Sequence, residues 1–234
     1  MMRIAVLDLT EQPDLLAGLP RVSDQIVAWL SPALPEATYL THDIVNDAPM
    51  PALDSFDGLV LSGSEYGVYD QTRWMDDLRA LLLATRAAGK PIYGICFGHQ
   101  IMADTFGGKA EKADTGYAIG IHTFEHAGDE VQAHAWHQDQ VTQLPPNARI
   151  TGRAAHCPIG SIDYDFPARS VQFHPEYTEE HLRDLFARGR DIFITGAQVD
   201  RAIETFERAT VPIDLLAQET ASFFRQHIAQ ATPV

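Results

Sequence analysis

Gly94-Ile95-Cys96-Phe97-Gly98-His99-Gln100 sets a thiol between glycines two positions to either side. A short apolar run precedes it, and a helical stretch holding Ile101, Met102, Ala103 and Phe106 follows. A nucleophile flanked in this way suits a strand-to-helix elbow, where small neighbours permit a strained turn that holds the side chain clear of the backbone. At a helix N-terminus the sulfur also meets backbone N–H groups and a positive dipole end, which lower a thiol pKa below its usual value of about 8.5. The competing role is a structural cysteine, since free cysteines are commonly buried. A thiol nucleophile needs a base, and the base needs an orienting group. Val171-Gln172-Phe173-His174-Pro175-Glu176 offers both. A strand ending at Phe173 leaves His174 at the sheet edge, and Pro175 restricts the backbone so that Glu176 can reach the imidazole and fix its tautomer. The same polar pair would also suit an ordinary strand-exit turn.

The remaining reactive side chains form weaker patterns. His122, His126, His134 and His137 lie close in sequence, but their spacing matches no strong zinc pattern and no cysteine joins them, so no metal is expected. Cys157 precedes Pro158 without a glycine elbow and reads as packing. Trp136 and Tyr117 read as core aromatics in strand-like segments, and Asp163 and Asp165 as a solvated face.

These residues need a scaffold. Ile4 to Leu7, Ala37 to Leu40, Gly58 to Leu61 and Ile92 to Ile95 read as strands, with helices over Ser23 to Leu30 and Asp76 to Ala88. Gly89-Lys90-Pro91 stops the second helix, and Ser62-Gly63-Ser64 turns the chain after a strand. From Gly107 to Val171 short alternating segments predict antiparallel or mixed sheet added to a parallel one. Thr178 to Arg188, Val199 to Ala209 and Ile213 to Ile228 are helical again. The expected fold is a single α/β domain over residues 1–234. It has a mixed, mostly parallel central sheet between helices, three layers of flavodoxin type, and a helical C-terminal extension at about 178–234.

Composition bounds the function. Lys plus Arg is 17 against 32 Asp plus Glu, a formal charge of −15, which argues against a general nucleic-acid or anionic-membrane binder. Two cysteines make no disulfide framework and suit a reducing cytoplasm. The N-terminal apolar run is cut short at Asp8, and no stretch approaches the roughly 20 apolar residues that span a bilayer. A soluble cytoplasmic protein is expected.

The segment around Cys96 together with Gln172-Phe173-His174-Pro175-Glu176 resembles the two catalytic signatures of the class I glutamine amidotransferases, in that family's order. The likeness runs from about residue 56 to 178. Ser62-Gly63-Ser64 with Val68-Tyr69-Asp70 resembles the oxyanion loop. Trp136-His137-Gln138-Asp139 and His156-Cys157-Pro158 resemble segments of the branch similar to the GMP synthase glutaminase domain. The resemblance implies that Cys96 attacks the glutamine side-chain amide, that His174 protonates the departing ammonia and then activates water, and that Glu176 orients His174. It further implies an oxyanion site at the backbone N–H groups of Phe97 and of Gly63 or Ser64, a glutamine pocket lined by Gly98 and Gln100, and no metal or organic cofactor. Gly63-Ser64-Glu65 stands where that branch commonly has Gly-Gly-Pro, and Pro158-Ile159-Gly160-Ser161-Ile162 lacks the glutamine often found after the proline.

A glutaminase core leaves too few residues for an ATP-dependent synthetase, and no G-x-x-x-x-G-K-[ST] loop occurs. Three functions follow. The chain releases ammonia for a partner synthetase on another chain, or it hydrolyses γ-glutamyl amides alone, or it keeps the fold as a non-catalytic regulatory or binding module.

Overall fold

Short apolar runs make the centre of the sheet, because strands buried on both faces have no polar side to alternate with. The computed structural model describes residues 2–114 and 116–230. In chain order its elements are β1 (Met2–Asp8), α1 (Val22–Leu30), β2 (Ala37–Asp43), β3 (Gly58–Leu61), α2 (Arg73–Ala87), β4 (Ile92–Ile95) and α3 (Phe97–Thr105). Then come β5 (Lys109–Lys112), β6 (Ala118–His126), β7 (Asp129–His137), β8 (Asp139–Gln143), β9 (Arg149–Ala154), β10 (Cys157–Asp163) and β11 (Ala168–Val171). The chain continues with α4 (Glu179–Gly189), α5 (Gly196–Phe206) and α6 (Ile213–Gln230).

Nine strands form one sheet in the order β2-β1-β3-β4-β11-β10-β9-β6-β7, and β5 pairs with β8 in a separate ribbon. The run from β2 to β11 is parallel, and the pairings from β11 to β7 are antiparallel. All of β3 and β4 is buried. Alternation along β1 splits its side chains between two cores. Ala5 and Leu7 join Leu78 and Leu82 of α2 with Ile101 and Met102 of α3 on one face. Ile4 and Val6 join Ile26 of α1, Phe186 of α4, Val199 of α5 and Phe224 of α6 on the other. Helices therefore cover both faces, as the sequence predicts.

Differences lie at element ends. α2 starts three residues before the expected Asp76, and Thr72 ahead of it makes no side-chain cap bond that would announce the start. α5 starts at Gly196 because Thr195 and Gln198 form a reciprocal capping box. β11 ends at Val171, two residues earlier than expected, and His174 continues through an isolated bridge to His134. Among the described residues no helix is long and apolar enough to cross a membrane.

The chain order reverses between β1 and β3, and the carboxyl ends of β1, β3, β4 and β11 point to one crevice. Such a switch point is where open α/β sheets bind ligands.

Candidate active site

Cys96 follows β4 with φ 51° and ψ −102°, a conformation that non-glycine residues rarely adopt. The two flanking glycines make it feasible. A Cβ on Gly94 would lie 2.5 Å from Met102 Sδ and 2.7 Å from the Gly98 carbonyl group. One on Gly98 would lie 2.8 Å from both Cβ and the carbonyl oxygen of Leu61. The first turn of α3 is thus pressed onto β3 and β4. Hydrogen bonds hold it there: Cys96 N–H donates to the Val171 carbonyl (2.9 Å) and Gly98 N–H to the Ser62 carbonyl (3.1 Å).

His174 is tied from three sides. Its backbone N–H donates to the His134 carbonyl at 2.8 Å. Its Nδ1 lies 2.7 Å from Glu176 Oε1, and its ring stacks on Tyr177 at 4.1 Å with the planes 1° apart. Nδ1–H donation to the carboxylate leaves Nε2 as the free ring nitrogen, and His174 and Cys96 meet over Gly63. His174 and Glu176 are each 2% exposed. Burial disfavours the imidazolium, but the Glu176 carboxylate and the Cys96 sulfur outweigh it and push His174 up to about 10. The structure brings Cys96, His174 and Glu176 together, with the buried carboxylate against the imidazole.

Gly63 passes close beneath this pair. A Cβ there would lie 2.9 Å from His174 Cε1 and 3.6 Å from Cys96 Cβ. The Ser62 hydroxyl accepts from Leu9 N–H (2.8 Å) and donates to the Gly63 carbonyl (2.7 Å), which fixes the loop's direction. The backbone N–H groups of Gly63, Ser64 and Phe97 have no hydrogen-bond partner among the described residues, which leaves them available to an oxyanion. Glu65, in place of the branch's proline, accepts from Glu11 N–H at 3.1 Å.

A cavity of about 650 Å³ opens onto Cys96 and His174. Gln100 lines it, donating through Nε2 to the Asp139 carbonyl (2.9 Å) and Gln172 Oε1 (3.2 Å). Gln172 in turn directs Nε2 at Cys96 Sγ, 3.6 Å away. Gly98 does not line the cavity; its role is the close packing described above. Trp136 and Tyr117, read from sequence as core, both face the cavity, and Tyr117 is 49% exposed. Two further residues were not singled out by sequence reasoning. Gln172 ties Gln100 to the thiol, and Tyr177 supports the base; both lie inside or beside the His174 segment, which was the one available signal.

The weaker candidates separate from the site. Cys157 is fully buried, and burial pushes its thiol up to about 12, so it packs as expected. The rings of His122 and His137 stand 4.5 and 5.4 Å from that of His156, and burial holds His137 down at about 3 and His156 at about 4. Among the described residues no group of three or more His, Cys, Asp or Glu side chains is placed to hold a metal. Asp163 pairs with Arg149 and Arg169 at the surface.

Residues 22–188 match the family model described as glutamine amidotransferase class-I. Gamma-glutamyl peptidase 2 of Arabidopsis thaliana is 27% identical, over 75% of this chain and 77% of that protein. The glutamine-hydrolysing GMP synthase of Limosilactobacillus reuteri is 38% identical over 64% of this chain but only 30% of its own greater length. A glutamine amidotransferase structure from Thermotoga maritima superposes with a TM-score of 0.76, covering 97% of this chain and 98% of that one at 18% identity, a likeness of fold.

Proposed function

The chain belongs to the class I glutamine amidotransferase family, and from that premise we propose that it hydrolyses the side-chain amide of glutamine, or of a γ-glutamyl amide, through Cys96, His174 and Glu176. One observation carries the reading: a strained Cys96 faces an imidazole whose far nitrogen is held 2.7 Å from a buried carboxylate.

Cys96 Sγ attacks the amide carbon, and the carbonyl electrons move onto oxygen. The N–H groups of Phe97 and of Gly63 or Ser64 receive that oxyanion; in such sites one donor is worth about 10²–10³ in rate. Collapse breaks the C–N bond, and the departing nitrogen takes the proton of His174 Nε2, leaving a γ-glutamyl thioester. His174 then deprotonates a water that attacks the thioester. Glutamate leaves and the thiolate–imidazolium pair is restored. Gln100, at the cavity wall, contributes to holding the glutamyl group. Ammonia released from glutamine would pass to an acceptor on a separate ATP-dependent synthetase chain.

A second reading, stand-alone hydrolysis of γ-glutamyl conjugates, is favoured by the size of the cavity, about 650 Å³, within the range that takes drug-sized ligands. Glutamate and ammonia release by the purified chain, with Cys96→Ala as control, tests the chemistry. Cys96-dependent glutamate release supports it, and a γ-glutamyl amine turned over faster than glutamine selects the second reading. An unreactive Cys96, neither turning over nor trapped by a glutamine-like electrophile, would return the chain to a non-catalytic role.

A further inference from the structure

Cys96 Sγ meets a carbonyl and an amide that differ in what they can do. The Trp136 carbonyl lies 3.8 Å away and can only accept; Gln172 Nε2 lies 3.6 Å away and can only donate. A neutral thiol can use the first by donating its proton. A thiolate can use only the second.

The end of the Gln172 amide that faces the sulfur is set by a backbone carbonyl further along. The Asp139 carbonyl can only accept, so the atom of the Gln100 amide 2.9 Å from it is the donor Nε2. The second N–H of that nitrogen meets Gln172 at 3.2 Å, and Gln172 must therefore present Oε1. Its Nε2 is left for the sulfur. His137 Nδ1–H donates to the same Asp139 carbonyl at 3.1 Å and steadies the anchor. Gln172 itself is held by its backbone N–H, which donates to the Gly160 carbonyl at 2.8 Å. Gln172 is fully buried and Gln100 is 3% exposed, so water does not compete for these donors. A hydrogen bond to an ionised group in such surroundings is roughly twice as strong as one between neutral groups.

Resting on the reading of Cys96 as the attacking atom, we propose that Gln172 is a positioning residue for the nucleophile. Through Nε2–H it holds the thiolate and draws the sulfur away from the Trp136 carbonyl. Gln100 fixes the direction of that donor, so a side chain of the cavity wall and the sulfur are joined by one relay that runs from the Asp139 carbonyl through two amides.

Alkylation of the full chain by iodoacetamide, in which Cys96 Sγ displaces iodide, reads the thiolate without any substrate turning over. Peptide mass spectrometry separates Cys96, which lines the cavity, from Cys157, which is fully buried. In Gln172→Leu, alkylation of Cys96 should be about tenfold slower, the scale of one hydrogen bond to a charged group. Gln172→Glu keeps the shape and the acceptor for Gln100 but sets an anion beside the sulfur, and should be slower still. Gln100→Leu touches no atom of Cys96 yet should slow its alkylation about threefold. Added to Gln172→Leu it should slow it no further, because the relay is already cut. In each variant kcat/KM for glutamate release from glutamine should fall at least as far as alkylation. A merely structural role predicts the opposite sign: loosened packing would speed alkylation of Cys96 and make Cys157 reactive. Should Gln172→Leu fail to fold, Gln172→Glu and Gln100→Leu decide the matter. Unchanged or faster alkylation in the folded Gln172 variants, or losses that multiply in the double variant, overturn the relay and leave the hydrolase reading standing. Silence toward glutamine and γ-glutamyl amides, with Cys96 never acylated, overturns the hydrolase reading and the role of Gln172 within it.

Discussion

At the scale of single residues, the proposed mechanism divides its labour unevenly among Cys96, His174 and Glu176. Cys96→Ala removes the attacking atom, so acylation and turnover should vanish while the circular dichroism spectrum stays that of the folded chain. His174→Ala removes the base and acid and should cost about 10²–10⁴ in kcat/KM. Glu176→Gln keeps the base, so its loss should be smaller; equal residual rates would contradict the assignment. The carboxylate also sets a pH limit. His174 holds its proton up to about pH 10, and protonation of the leaving nitrogen fails as pH rises through that value. Removing the negative charge in Glu176→Gln destabilises the imidazolium, so the alkaline limb of kcat/KM should move to lower pH, and a pH–rate profile reads this directly. Gly63→Ala places a Cβ 2.9 Å from His174 Cε1 and must shift the loop or the ring. A fall of about 10² in kcat is expected, comparable to losing one oxyanion donor.

At the scale of elements, the elbow is a packing device as much as a chemical one. Alanine is normally worth about 1 kcal/mol more than glycine within a helix, yet Gly98→Ala should destabilise the chain by about 1–3 kcal/mol, because the added methyl meets Leu61 at 2.8 Å. Urea unfolding checks the sign; a more stable Gly98→Ala would mean that α3 can lift off β3 freely. The elbow was legible in sequence because its glycines and thiol are neighbours in the chain. The central strands were legible for a similar reason, since a strand buried on both faces is a bare apolar run. Gln172 and Tyr177 were not, because only the fold brings Gln100 to one and the face of the imidazole to the other. Trp136 and Tyr117 were taken for core since an aromatic residue in a strand-like segment has the same sequence signature whether it meets a cavity or a packed helix. Helix starts failed where the signal was weak, as at Thr72, whose side chain caps nothing. The start of α5 was announced by Thr195 and Gln198 but lay outside its apolar periodicity.

At the scale of the whole molecule, the C-terminal helix belongs to the core that supports the site. Phe224 of α6 is fully buried, and Gly58 at the start of β3 leaves the space its ring occupies, for a Cβ there would lie 2.9 Å from that ring. Phe224→Ala should cost about 3–5 kcal/mol, measured as a lower urea midpoint. Because Phe224 lies beneath the opposite end of β3 from Gly63, kcat of the protein that remains folded should change little. The parallel strands have a further consequence in time. β4, which delivers Cys96, is made early, whereas its neighbour β11 and the base beyond it come only after the whole antiparallel region. A growing chain therefore carries Cys96 long before His174 is made, and the pairing of β11 with β4 and β10 is what brings the two to one end of the sheet. In the proposed mechanism, the order of synthesis thus keeps the nucleophile apart from its base until the sheet is complete.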